Sequence, residues 1–240
     1  MSCTRTSRSA WLLLALTISP WACFADEPAT VKPVSRPGKF WEDRQAQINA
    51  RAKEGDVDLI FIGDSITQGW LGNGKDVWKQ FYGNRKAMNA GIGGDRTQHV
   101  LYRLEHGNLD NIQPKLAVIM IGTNNSGTDK PEDIAAGIKA IVETLREKKP
   151  ETKILLLAIF PRGADASDPK RKVNIETNRI IHNLEDGEHV FYLDISDKFL
   201  NDDDTLSKDI MPDLLHLSPK GYEIWANAIE ARVADLLGEK

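Results

Sequence analysis

Four short turns in this chain carry side chains suited to acyl transfer. Gly63-Asp64-Ser65-Ile66-Thr67 offers a hydroxyl. Asn89-Ala90-Gly91-Ile92-Gly93-Gly94-Asp95-Arg96 offers a backbone amide that a ligand can approach closely, because Gly94 has no Cβ. Gly122-Thr123-Asn124-Asn125 offers a neutral carboxamide donor, and Asp213-Leu214-Leu215-His216 offers a base with a carboxylate three residues earlier to orient it. A hydroxyl, an oriented base and neutral donors for a developing oxyanion are the parts that acyl transfer requires.

The chain has five histidines. His106 closes a helical pattern, His182 lies inside one, and His189 comes just before a strand pattern. His99 opens a helix. His216 alone combines a nearby carboxylate with a position after a strand and before a helix start. A lone histidine is usually structural, and the pairing lifts His216 above that default.

Other chemistries fit poorly. Gly91-Ile92-Gly93-Gly94-Asp95-Arg96 sits like a dinucleotide loop, but Arg96 stands where the third glycine belongs. No Gly-x-x-x-x-Gly-Lys-Ser/Thr loop is present. Ser65 lacks the Gly-x-Ser-x-Gly elbow, since Thr67 follows two residues on. No two histidines have zinc spacing. Asp202-Asp203-Asp204 reads as a solvated loop rather than a calcium site, because adjacent carboxylates point apart. No metal and no organic cofactor is therefore expected.

These turns need elements to position them. Apolar runs at 57–62, 86–90, 116–121, 154–159 and 190–193 read as strands. The first, third and fourth are nearly continuous in apolar residues, as strands buried on both faces are. Helical patterns lie between and after them, at 97–105, 131–148, 170–185 and 219–237. In the second helix Ile134, Ile138, Ile141, Val142 and Leu145 form a core-facing stripe. Ser218-Pro219 reads as cap and first residue of the last helix. Alternating strands and helices predict an α/β fold, three-layer α/β/α, around a five-stranded parallel sheet. Such folds react at the carboxyl ends of their strands, and all four turns above follow strands.

Composition narrows the class. The chain has 240 residues, 41% hydrophobic and 28% charged, enough for one domain with a core that needs no staples. A formal net charge of -4 leaves no basic surplus for nucleic acid. Residues 1–25 show Arg5 and Arg8, the apolar run Trp11 to Leu16, and Cys23-Phe24-Ala25. This reads as a signal peptide cut after Ala25, since the run is well short of the roughly 20 residues of a membrane span. Cleavage would remove both cysteines, Cys3 and Cys23, leaving no disulfide and no thiol nucleophile. Residues 26–39 read as a flexible N-terminal segment, with the domain at 40–240. The expected location is periplasmic or secreted, with no membrane span after cleavage.

Gly63-Asp64-Ser65, Gly94, Gly122-Thr123-Asn124 and Asp213-x-x-His216 resemble, in order, the four blocks of the SGNH (GDSL-like) hydrolases. The likeness is nearer still to the catalytic subunits of intracellular platelet-activating-factor acetylhydrolase. It runs through Asn89-x-Gly91-Ile92-Gly93-Gly94-Asp95, His99-Val100-Leu101-x-Arg103-Leu104, Pro161-Arg162-Gly163, Arg171-x-x-Asn174-x-x-x-Asn178 and Leu215-His216-Leu217. The resemblance implies a flavodoxin-like fold with Ser65 as nucleophile, His216 as base and Asp213 orienting His216. It implies an oxyanion hole of the Ser65 and Gly94 N–H groups and the Asn124 amide. Thr123 and Leu215 would line a small acyl pocket, and Arg162 is the candidate for substrate contact. Asp95 and Arg96 are expected to brace their loop, His99 to be structural, Asp64 to cap a helix, and Asn174 and Asn178 to anchor loops.

The implied activity is a secreted serine esterase acting on short acyl esters. The expected substrate is a small-molecule or polysaccharide ester, with carbohydrate O-acetyl groups favoured by the export signal. A lysophospholipase or thioesterase is the alternative enzyme. A non-catalytic carbohydrate-binding protein on the same fold is the alternative from another class, and the intact site argues against it. The animal relatives pair, but no apolar stripe here demands a homodimer.

Overall fold

The computed structural model describes residues 27–239. The five expected strands are β1 (Leu59–Gly63), β2 (Ala87–Gly91), β3 (Leu116–Met120), β4 (Lys153–Leu157) and β5 (Val190–Leu193). They form one sheet in the order β2-β1-β3-β4-β5, every pairing parallel. In this register Gly63 lies opposite both Gly91 and Met120, so the first three strand ends finish level.

Among the described residues seven α-helices accompany the sheet: α1 (Lys39–Lys53), α2 (Ser65–Gln68), α3 (Lys75–Tyr82), α4 (Thr97–Glu105), α5 (Pro131–Lys148), α6 (Pro169–Ile181) and α7 (Pro219–Leu237). Strand alternation divides the core in two. Ile60, Ile62, Ala117, Ile119, Ile154 and Leu156 pack with residues of α1, α4 and α5. Leu59, Phe61, Val118, Met120, Leu155 and Leu157 pack on the other face with Tyr82 of α3 and with Trp225, Ile229 and Val233 of α7. Helices cover both faces, so the strands carry apolar residues at successive positions.

Local signals hold at the helix ends. Ser218 Oγ accepts from Gly221 N at 3.2 Å and Pro219 opens α7. Asp168 accepts from the backbone N–H of Lys170 and Arg171, each at 2.9 Å, at the start of α6. Two helices were not expected from the sequence. In α1 only Trp41, Ile48 and Ala52 are buried, too sparse a face to stand out among charged residues. In α3 Val77, Trp78, Phe81 and Tyr82 pack on the α7-side core at helical spacing, but the helix is only eight residues long.

The flexible segment needs correcting over residues 27–39. Thr30 is buried, its hydroxyl donates to Asp133 O at 2.5 Å, and its carbonyl accepts from Thr97 Oγ1 at 2.9 Å. Val34 N donates to Gln98 O at 3.1 Å. Prolines already restrict this stretch, so laying it along α4 and α5 costs little further chain entropy. The signal-peptide reading of 1–25 lies outside the described residues. No helix among the described residues is long and apolar enough to cross a membrane.

Candidate active site

β1 ends at Gly63, where a Cβ would overlap the Thr67 hydroxyl and the Met120 carbonyl. That close approach lets α2 start immediately. The Asp64 side chain caps it, accepting from Ile66 N at 3.0 Å, as the sequence suggested. Ser65 is the first helical residue and is half-buried at the strand end.

His216, in the turn before α7, reaches this serine. Its Nε2 lies 2.9 Å from Ser65 Oγ, and its Nδ1 lies 2.7 Å from Asp213 Oδ2. A carboxylate can only accept, so Nδ1 carries the proton towards Asp213 and a neutral ring leaves Nε2 to accept from the Ser65 hydroxyl. Asp213 Oδ1 accepts from the backbone N–H of Leu215 at 3.1 Å and of His216 at 2.7 Å. Burial pushes the Asp213 carboxyl up, but the hydrogen bonds from the His216 side chain and backbone win and hold it below the usual carboxylate range. Leu214, between them, adopts a left-handed φ of 60°, at a cost of roughly 1–2 kcal/mol. Its backbone N donates to Met211 O at 2.8 Å and its carbonyl accepts from Gly163 N at 2.9 Å, which hold the turn in place.

The loop after β2 presents Gly94 to solvent with φ of 79°. Asp95, fully buried, anchors this loop: Arg103 Nε donates to it at 2.8 Å and Trp41 Nε1 at 2.8 Å. Arg103, itself buried, also donates to Ala90 O at 3.0 Å and Gly63 O at 3.2 Å, joining the ends of β1 and β2. Asp95 is thus a brace, as expected. Arg96 donates to Thr128 Oγ1 at 3.2 Å. His99 accepts from Arg96 N at 2.9 Å, and burial lowers its pKa to about 4, which keeps the ring neutral for that role. Among the described residues, neither Ser65 N–H nor Gly94 N–H donates to a protein acceptor.

After β3, Thr123 is buried and Asn124 half-buried. Asn124 Nδ2 donates to Asp95 O at 2.9 Å and, at a longer 3.3 Å, to Asp64 Oδ2. The carboxamide therefore ties the loop after β2 to the start of α2. Burial raises the Asp64 pKa to about 7, against the opposing bond from Ile66 N.

Arg162 spends Nη1 on Thr123 O at 3.0 Å and Thr123 Oγ1 at 3.1 Å, so it holds the residue beside Asn124. Its loop is clamped from α6. Arg171 donates to Arg162 O at 2.7 Å and Gly163 O at 2.8 Å; Asn178 brackets Ile159 through its N–H at 2.8 Å and its carbonyl at 2.9 Å; Asn174 donates to Phe160 O at 3.3 Å. Both asparagines anchor the loop, as expected. Leu215 packs against the α7-side core while its backbone serves Asp213.

The sequence model of the GDSL-like Lipase/Acylhydrolase family matches residues 61–224. The chain belongs to this family. It is 36% identical over 216 residues to platelet-activating factor acetylhydrolase IB subunit alpha1 of Homo sapiens, covering 90% of this chain and 91% of that one. Among solved structures it is similar to a GDSL-like lipase from Bacteroides thetaiotaomicron, with TM-score 0.64, 20% identity, and coverage of 82% of this chain and 99% of that one. It is also similar to an acetylxylan esterase from Geobacillus stearothermophilus, with TM-score 0.56, 19% identity, and coverage of 76% and 94%. These two structures speak to the fold alone. This GDSL-like acylhydrolase is a carboxylic ester hydrolase.

In this acylhydrolase the line from Asp213 through His216 to Ser65 can move a proton off the hydroxyl. A cavity of about 600 Å³ opens at the ends of β4 and β5, lined by Asn174, Ile175, Tyr192 and Asp194 among others, but not by Ser65 or His216. It lies apart from the chemistry. Among the described residues no cluster of three His, Cys, Asp or Glu is placed to hold a metal ion. Sequence reasoning missed Arg36 and Trp41, which reach the loop after β2 from the N-terminal side, and Arg44, which reaches β2 itself. Arg44 donates to Gly91 O at 3.2 Å and Asn89 O at 2.8 Å. A helix starting at Lys39 would have been the signal, and its weak apolar face hid it.

Proposed function

We propose that this acylhydrolase removes short acyl groups, acetyl above all, from carbohydrate esters through an acyl-enzyme on Ser65. The observation that carries this is the 2.9 Å approach of His216 Nε2 to Ser65 Oγ with Asp213 2.7 Å behind the ring. His216 takes the Ser65 proton as Oγ attacks the ester carbonyl. Asp213 keeps the ring in the productive tautomer and stabilises the imidazolium. The Ser65 and Gly94 N–H groups and the Asn124 amide receive the oxyanion. The tetrahedral intermediate collapses, the C–O bond to the alcohol breaks, and His216 returns the proton to the leaving oxygen. Water repeats the cycle on the acyl-enzyme and releases the acid and free Ser65.

Thr123 and Leu215 are read as the walls of the acyl pocket. Thr123 is well suited, because Arg162 holds both its hydroxyl and its carbonyl. The acetyl preference is supported by the name of the human relative, an acetylhydrolase. The carbohydrate acceptor and a periplasmic or secreted location rest on the signal-peptide reading of residues 1–25.

The test pairs p-nitrophenyl esters of rising chain length with acetylated xylan, and wild type with Ser65→Ala. Rates should fall steeply beyond the shortest acyl groups, acetate should be released from xylan, and a fluorophosphonate should label wild type alone. Ser65→Ala should lose a factor on the order of 10⁴ or more. A preference for long acyl chains would remove the short-acyl reading, and a Ser65→Ala protein that keeps its rate would remove Ser65 as nucleophile.

A further inference from the structure

The peptide unit between Gly93 and Gly94 holds the one oxyanion donor that sits on a glycine loop. Its C=O and N–H are trans and point in opposite directions, so fixing one fixes the other. Glycine on both sides makes rotation of that unit cheap, because neither residue has a Cβ to restrict it. A rotated unit would turn its carbonyl, a negative dipole, towards the place where the oxyanion forms. Both flanks of the unit are held: Gly93 N donates to Gln68 Oε1 at 2.7 Å and Asp95 N donates to Ile92 O at 3.2 Å.

The unit itself has one tie. Arg36 Nη1 donates to Gly93 O at 2.7 Å and to Asp95 Oδ1 at 3.0 Å, and this is the single hydrogen bond the unit makes among the described residues. The guanidinium lies against Gly94, with its atoms 3.1–3.4 Å from where a Cβ on Gly94 would stand. Its side chain is 29% exposed, so it is held on the loop rather than buried beneath it. The stretch carrying Arg36 is secured upstream by Thr30 and Val34 and downstream by Trp41. Arg36 lies before residues 61–224, the span that the family model matches.

We propose that Arg36 is a positioning residue of this esterase: it locks the Gly93–Gly94 peptide with its N–H towards the oxyanion. The proposal rests on the reading of Gly94 as an oxyanion donor. A cation on the carbonyl side also polarises the amide and strengthens the N–H as a donor. Asp95 does not depend on Arg36, because Arg103 and Trp41 keep both its oxygens bonded.

Arg36→Met keeps the aliphatic stem and removes the guanidinium, and Arg36→Lys keeps a charged donor. With p-nitrophenyl acetate, Arg36→Met should lower kcat about 10- to 100-fold with KM changed less than about twofold, a partial loss of one oxyanion donor. Arg36→Lys should recover part of that loss. The ¹H–¹⁵N signal of Gly94 should move or broaden in Arg36→Met and lie nearer its wild-type position in Arg36→Lys. A raised KM with kcat intact, an unchanged kcat, or a Gly94 signal unmoved by Arg36→Met would overturn the proposal. If the wild type cleaved no ester, the proposed function would fail by itself, and the Gly94 signal alone would decide the role of Arg36.

Discussion

Asn124→Ala separates a transition-state donor from a ground-state binding residue. Asn124 Nδ2 carries two protons. One is held firmly by Asp95 O at 2.9 Å, which orients the amide, and the other rests on Asp64 Oδ2 at a weak 3.3 Å. On the oxyanion assignment this weakly held N–H is the one shared between Asp64 and a substrate oxygen once that oxygen gains negative charge. On the proposed oxyanion hole two backbone donors remain after truncation, so the loss is that of one donor among three. The expected fall in kcat is about 10²–10³, equivalent to about 2.7–4 kcal/mol, with little change in KM. Truncation also orphans Asp95 O, at about 1 kcal/mol, which lowers the melting temperature by about 2–4 °C in a chain of this size. Unfolding on that scale cannot produce the rate loss. The assay is kcat and KM on p-nitrophenyl acetate beside a thermal melt, with Asn124→Asp as a near-isosteric control that loses the donor and adds a repelling charge. A raised KM with unchanged kcat, in a protein whose melting temperature falls by no more than those few degrees, would refute the assignment of Asn124 to the oxyanion.

Two further predictions concern the buried network. Burial raises the Asp64 pKa from 3.8 to about 7, so between those values the folded protein holds a proton that the unfolded chain releases, and this contribution to stability is lost as pH rises. The melting temperature of wild type should fall relative to Asp64→Asn, which keeps the cap on Ile66 N, as pH rises from about 4 to 7; a gap that does not change with pH would contradict this. Arg103→Met should cost about 3–5 kcal/mol, because it removes a partner from buried Asp95 and strands the carbonyls of Gly63 and Ala90. Denaturant unfolding measures this, and a loss under about 1 kcal/mol would show that Asp95 and the carbonyls find other partners.

What was legible in the sequence came from short-range rules. The runs that became β1, β3 and β4 announced burial on both faces by lacking alternation, and Ser218-Pro219 announced the start of α7. The rule that polar turns lie at the carboxyl ends of parallel strands puts Ser65, Gly94, Asn124 and His216 on one edge from the sequence alone. Less was legible about α1, α3 and residues 27–39. α1 meets the core at few and widely spaced residues, α3 is only eight residues long, and a proline-rich stretch bound to a surface has the same composition as one left free.

The sequence by itself determined the fold class and which polar turns follow strand ends, because strand and helix periods, caps and the handedness of crossovers are local properties of the chain. The tertiary structure decided how the polar groups are shared out. Asp95 binds both Trp41 and Arg103, Asn124 bridges Asp95 and Asp64, and Arg36 grips the Gly93 carbonyl from more than fifty positions away. A buried donor or acceptor must be satisfied, but no spacing rule says by which distant residue. That choice is made only when α1, the N-terminal stretch and the loop after β2 pack together around the same edge of the sheet.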